Sequence, residues 1–131
     1  MKHLPEIHFK SIPHNEHRYS TVGDYYEQNG QWEFRVSQMS SDEEFLVFIH
    51  ELVEWYLTQK KGVTEPEIDS FDRSFEELRE KYPEIIGDQE PGHMVSAPYH
   101  NEHVFAEQIE MLVASKLGVD WNEYSKTVED L

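Results

Sequence analysis

Cysteine is absent from this chain of 131 residues, which excludes both disulfide bonds and thiolate zinc ligands. Basic residues are few: 11 lysines and arginines stand against 27 aspartates and glutamates, a formal net charge of −16. Direct binding to nucleic acid or to an anionic membrane requires a basic face, so we expect neither. Most of these charges are typical of a solvated acidic surface.

Long apolar runs are also absent, and none approaches the roughly 18–20 residues that cross a membrane. The first residues, MKHLPEIHFK, lack the apolar core of a signal peptide. We therefore expect a soluble, cytoplasmic protein. No internal repeat or Gly/Ser linker divides the chain, and its length suits one domain with a real core. The prediction is a single domain, 1–131, whose oligomeric state the sequence leaves open.

Residues 1–39 have the pattern of strands. Asn29-Gly30 lies between two aromatic-rich segments and predicts a hairpin with a type I′ turn, since both turn positions need positive φ. That turn fixes three cross-strand pairs: Tyr25 with Phe34, Glu27 with Trp32, and the oppositely charged Asp24 with Arg35. The segment EIHFKSI before the hairpin is a candidate third strand.

Residues 40–131 have the pattern of three to four helices, so the predicted fold class is α+β. Ser41 is the expected N-cap of the first helix, with Glu44 completing the cap, and Gly62 is its expected stop after Lys61. The later helices are expected from Pro66 to before Pro83, from about Ala97 to Leu117 with Gly118 as its stop, and from Asp120.

The first helix, around FLVFIHELVEWYL, is apolar over most of its circumference. The centre of its apolar face is predicted to consist of Phe45, Ile49, Leu52 and Tyr56. A narrow stripe remains that holds His50 and Glu54, one turn apart, with Glu51 at its edge. Ionisable groups on a buried helix need partners or a metal ion.

The third helix repeats this chemistry, because His103, Glu107 and Glu110 fall on one side of it. His100 joins them if the helix begins at Ser96. Two helices that each carry one His/Glu stripe satisfy both by facing each other, which is the shape of a metal site. Each stripe alone is also compatible with ordinary hydrogen-bonded histidines on an acidic helix.

The motif HELVE is one residue away from the HExxH of zinc metallopeptidases and resembles the active-site helix of small zincin-like proteins. The resemblance implies that His50 is a metal ligand and that Glu51 is the general base. Glu54 replaces the second histidine and would be a carboxylate ligand. His103 or Glu107 would be the ligand from the later helix.

A wider resemblance runs through HELVEW, IDSFD, EPG, APYHNEHVFAEQIE and LGVDW, which are similar to short uncharacterised proteins of bacteriophages and their hosts. It implies a shared fold and site, and the host cytoplasm if the protein is phage-encoded. Asp69 and Asp72 lie in one of these stretches. Asp72, His100 and Glu110 are therefore further candidate ligands, although Asp69 suits a helix cap equally well.

These features favour a metal-binding hydrolase of zincin-like type acting on an unknown peptide or small amide. Zinc is the expected ion, and a site richer in carboxylates would favour manganese, iron or magnesium. Two alternatives stay open. Glu51-x-x-Glu54 and Glu107-x-x-Glu110 resemble the magnesium motifs of all-α nucleoside triphosphate pyrophosphohydrolases. The acidic surface also suits a non-enzymatic inhibitor that imitates DNA and binds a host protein.

Overall fold

The fold begins with a small sheet and continues as helices, in a computed structural model that describes residues 2–131. The strands are β1 (Ile7–Ile12), β2 (Gly23–Gln28) and β3 (Gln31–Ser37). The helices are α1 (Ser41–Lys61), α2 (Glu65–Lys81), α3 (Pro83–Ile86), α4 (His100–Leu117) and α5 (Trp121–Glu129). Single 3₁₀ turns lie at His14–Glu16 and Pro91–His93. The α+β prediction is confirmed.

The hairpin β2–β3 has the predicted register, with Tyr25 opposite Phe34 and Asp24 opposite Arg35. Asn29 and Gly30 have φ values of 54° and 76°, as a type I′ turn requires. The side chains of Asp24 and Arg35 form ion pairs with other residues, however. Asp24 accepts two hydrogen bonds of 2.8 and 3.0 Å from Arg18, whose planar guanidinium matches the carboxylate. Arg35 pairs with Glu33 on its own strand.

The third predicted strand exists, and it runs parallel to β3, so the sheet is mixed with the order β1-β3-β2. The loop 13–22 therefore crosses one end of the sheet from one edge to the other. His14 and His17 from this loop each form a hydrogen bond with the hydroxyl of the buried Ser37, at 2.8 and 2.9 Å. These contacts fix the loop over the end of β3.

Two helix starts differ from the predicted ones, and two helix ends agree with them. The N-cap of α1 is Ser40 with Glu43, one residue earlier than predicted, because Ser41 is already helical. α4 begins at His100 rather than near Ala97, because Tyr99 before it has non-helical angles (φ −116°, ψ 19°). Gly62 and Gly118 end their helices in the left-handed conformation, as predicted.

The buried face of α1 is not the predicted one. Phe45 and Tyr56 at the centre of the apolar face are 46% and 40% exposed, whereas His50 and Glu54 are 6% and 5% exposed. The helix packs on the sheet through Trp55 and on the antiparallel α4 through the His/Glu stripe. The two stripes therefore lie inside the fold, facing each other.

Two apolar clusters surround this polar contact. The first joins the sheet to Trp55, Val63, Ile68 and Tyr99, and the second joins Val36, Leu46 and Val47 to Ala114 and Tyr124.

Within the described part of the chain, no helix is long and apolar enough to cross a bilayer.

Candidate metal centre

Three side chains converge between α1 and α4. Oε2 of Glu54 lies 3.2 Å from Nε2 of His50 and 2.8 Å from Nδ1 of His103. The two ring nitrogens lie 3.0 Å apart. All three residues are buried. Each offers one ligand atom, and the three together form a group that could hold a metal ion.

The spacing of this triad fits a small divalent ion. Ligands about 2.0–2.1 Å from a tetrahedral zinc ion are about 3.3 Å from one another, and the three separations here are 3.2, 3.0 and 2.8 Å. Two imidazole nitrogens and one carboxylate oxygen are also the donors that zinc prefers. A tetrahedral ion held by these three residues would keep its fourth position for water or substrate.

His50 is oriented by a carboxylate behind it. Its Nδ1 donates a hydrogen bond of 2.7 Å to Oε1 of Glu110, so its other nitrogen, Nε2, points into the triad. Glu110 is itself fixed by Tyr124, whose hydroxyl donates to Oε2 at 2.6 Å. A carboxylate behind a histidine is a recurrent arrangement in metal sites, since it sets the ring orientation and strengthens the ligand.

Glu54 is held in the same way. The hydroxyl of Tyr25 on β2 donates a hydrogen bond of 2.9 Å to Oε1 of Glu54, which leaves Oε2 for the two histidines. Burial, together with the charge of Glu54, raises the pKa of the Tyr25 hydroxyl well above its usual range, so it stays a donor. Two of the three potential ligands, His50 and Glu54, thus have defined orientations.

The three side chains of the triad shift one another's pKa values. Burial opposes the charged form of Glu54, but its hydrogen bonds with His103 and His50 outweigh burial and lower the pKa of its carboxyl to about 2. Burial also works to lower the pKa of His103, but Glu54 and Glu90 raise it to about 10. Glu54 is therefore an anion at neutral pH. Burial works to lower the pKa of His50, but Glu110 and Glu54 raise it well above its usual range.

Glu51 lies beside this triad and lines an open cleft of about 370 Å³ together with His50, Glu54 and His103. That volume falls within the roughly 300–1,000 Å³ of small-molecule sites. Burial, reinforced by the nearby charge of Glu54, raises the pKa of the Glu51 carboxyl well above its usual range. Gly23 at the start of β2 packs directly against the Glu51 side chain, where a Cβ atom would lie 2.8 Å from its Oε1.

The other predicted residues have different positions. Glu107 lies on the far side of the His103 ring, where it contacts His93 at 2.7 Å. Glu110 supports His50 and is not part of the triad. His100 donates to the backbone carbonyl of Gly92 at 2.9 Å. Asp72 lines the cleft and accepts hydrogen bonds from Tyr19 and Tyr99.

Asp69 lies outside the triad as well, because Arg18 donates hydrogen bonds to it at 3.3 and 3.4 Å.

Sequence reasoning missed two residues, Glu90 and His93, which form a second possible metal-binding group with His103 and Glu107. They belong to the segment Glu90-Pro91-Gly92-His93, which lies between α3 and α4. A periodic pattern could not place them, because the segment is not part of a long helix. The available signals were composition, since a glutamate and a histidine flank a Pro-Gly pair, and the stretch EPG in the wider resemblance.

No family model, curated protein or solved structure matches the chain. The functional argument therefore rests on the geometry of the triad, on Glu51 and on the cleft.

Proposed function

We propose that this protein is a metal-dependent hydrolase with a zincin-like site, acting on a peptide or a small amide. The observation that carries the proposal is the triad His50, Glu54 and His103, in which carboxylate or phenol partners hold two of the ligands. Such support is characteristic of metal sites. An ordinary polar core needs hydrogen bonds, but it does not need ligand atoms aimed at one common point.

Zinc is the proposed ion, because two imidazoles and one carboxylate suit it. A divalent ion in the triad would supply Lewis acidity, which lowers the pKa of a coordinated water and polarises a substrate carbonyl. Glu51 is the proposed general base. Its carboxyl has a raised pKa because it is buried near Glu54, and the positive charge of a bound ion would lower that pKa and favour the carboxylate form that accepts a proton.

The lining of the cleft indicates which substrates fit. Asp72, Glu90 and Glu107 line it, whereas Arg79 is its one lysine or arginine among the described residues. This negative lining favours a neutral or cationic substrate, such as a peptide or amide, over a triphosphate. The glutamates of the two ExxE motifs also do not converge on one point: Glu54 contacts His103, Glu107 contacts His93, and Glu110 contacts Tyr124. These contacts give no support to the pyrophosphohydrolase alternative.

The test is a comparison of wild type with Glu51→Gln, each loaded with zinc and screened against peptide and amide libraries. Glu51→Gln should keep its zinc and its fold, because Glu51 is not in the triad, and any turnover should fall at least about 10²-fold. Glu54→Ala should instead lose the zinc ion of the triad. Equal turnover in wild type and Glu51→Gln, or no turnover in either, would contradict the proposal.

A further inference from the structure

The ring of His103 presents a nitrogen to each of two groups. Nδ1 faces Glu54 and His50, and Nε2 faces Glu90, His93 and Glu107 on the other side. His103 is 5% exposed, and its Nε2 is buried without a hydrogen-bond partner. Oε2 of Glu90 lies only 3.0 Å from this nitrogen, yet the two do not form an aligned hydrogen bond. A buried ring nitrogen without an aligned hydrogen bond requires an explanation.

The atoms around Nε2 are spaced like metal ligands. Nε2 of His93 lies 2.7 Å from Oε2 of Glu107 and 3.9 Å from Oε2 of Glu90. Nε2 of His103 lies 3.9 Å and 3.0 Å from the same two oxygens. These separations bracket the ligand–ligand distance of about 3.3 Å in a tetrahedral zinc site. Two nitrogens and two carboxylate oxygens therefore form a second set of four ligand atoms.

The loop between α3 and α4, which contains Glu90 and His93, is fixed close to His103 by several contacts. A Cβ atom on Gly92 would lie 2.3 Å from Cγ of the His103 ring, so the loop backbone packs against the imidazole at a distance that only glycine allows. Arg79 of α2 donates hydrogen bonds to the carbonyls of Gly87 and Gln89, at 2.8 and 2.6 Å. His100 donates a hydrogen bond to the carbonyl of Gly92. The side chains of Glu90 and His93 remain partly exposed, which gives an ion access from solvent.

We infer that Glu90, His93, Glu107 and Nε2 of His103 form a second divalent-cation site, so that the imidazole of His103 bridges two ions. The second site shares His103 with the proposed metal centre, but it does not depend on hydrolytic activity. A bridging imidazole has lost the protons of both ring nitrogens, and both protons go to solvent. Mixed nitrogen and carboxylate ligands favour zinc in this position as well.

The experiment is native mass spectrometry of the full chain with added Zn²⁺. Wild type should hold two ions. The double variant Glu90→Gln/His93→Ala should hold one, and it should fold because both side chains are partly exposed. His8→Ala is the matched control, since it removes an exposed histidine that contacts Glu6 at 3.0 Å, and it should hold two ions. Two ions in the double variant, or one in wild type, would overturn the inference.

The two sites are distinguished by a second variant. His50→Ala should remove the ion of the triad and keep the one bound by His93. The opposite result would be one ion in wild type, none in His50→Ala and one in the double variant. That result supports the triad alone and overturns the second site. Turnover plays no part in this readout, so the second site and the proposed hydrolase can fail separately.

The bridge itself is tested by ¹H–¹⁵N spectra of the histidine rings during a Zn²⁺ titration. After two equivalents, both ring nitrogens of His103 should lack protons and have the chemical shifts of coordinated nitrogen. A proton that remains on Nε2 after two equivalents would overturn the shared ring.

Discussion

Nδ1 of His50 donates a hydrogen bond of 2.7 Å to Glu110, and this single contact turns the other ring nitrogen toward Glu54 and His103. The residue that orients His50 thus comes from α4, across the helix–helix contact. Because Tyr124 fixes Glu110 in turn, α5 is linked to the triad although it supplies none of the three ligands.

Replacing Glu110 should weaken metal binding without removing a ligand. Glu110→Gln keeps the shape of the side chain but removes its charge, and we expect zinc affinity to fall by about 10- to 100-fold. Competition with a coloured chelator measures this affinity. Glu102→Gln is the matched control, because Glu102 lies on the same helix and pairs with Lys61 away from the triad. Equal affinities in the two variants would contradict the role of Glu110.

Removing the metal should lower the melting temperature. An ion that binds only the folded chain stabilises it by mass action, by about 2.7 kcal/mol when its free concentration is 100 times the dissociation constant. Calorimetry with zinc and with chelator should therefore give midpoints several degrees apart for wild type. In the doubly substituted chain His50→Ala/His93→Ala, which lacks a ligand of each site, the two midpoints should coincide. A wild-type midpoint that does not move after confirmed loss of metal would indicate a purely structural polar core.

Asp72 should make the chain less stable as pH rises toward neutrality. Burial raises the pKa of its carboxyl to about 7, against the opposing hydrogen bonds from Tyr99 and Tyr19. Between about pH 4 and pH 7 the folded chain therefore keeps a proton that the unfolded chain releases. The free energy of unfolding falls with pH in this window, by at most about 1.4 kcal/mol per pH unit.

Asp72→Asn imitates the protonated acid and should remove this dependence. The free energy of unfolding of the variant minus that of wild type should therefore be larger at pH 8 than at pH 5. Urea unfolding in the presence of chelator measures both values. Asp42→Asn changes an exposed acid in the first turn of α1 and is the control, which should leave the pH difference unchanged. Parallel pH profiles for wild type and Asp72→Asn would show that Asp72 is ionised throughout.

Features set by neighbouring residues could be predicted from the sequence. The turn at Asn29-Gly30 requires positive φ at both positions, so it determined the register of β2 and β3. Gly62 and Gly118 end their helices for the same local reason. The convergence of His50 and Glu54 with His103 was also predictable, because two long helices with matching polar stripes have few other ways to bury them.

Features set by distant segments could not be predicted. The apolar pattern of α1 suggested a buried face around Phe45 and Tyr56, but the sheet and α4 cover the other side of the helix. Asp24 forms an ion pair with Arg18 in the loop 13–22, and not with its cross-strand neighbour Arg35. Glu107 shares a helix face with His103, yet the loop residue His93 draws it to the opposite side of that ring. Each difference depends on a contact with a segment that is distant in the sequence.

The close packing of Gly92 on the His103 ring has a use in recognising other proteins with this site. Any side chain at that position would collide with the imidazole, so a chain that builds the same centre must keep a glycine there, directly before a histidine. The combination HExxE, then ExGH, then HxxxExxE is therefore a search pattern whose spacing follows from the three-dimensional contacts. It should identify proteins that share this centre even where the rest of the sequence has diverged beyond alignment.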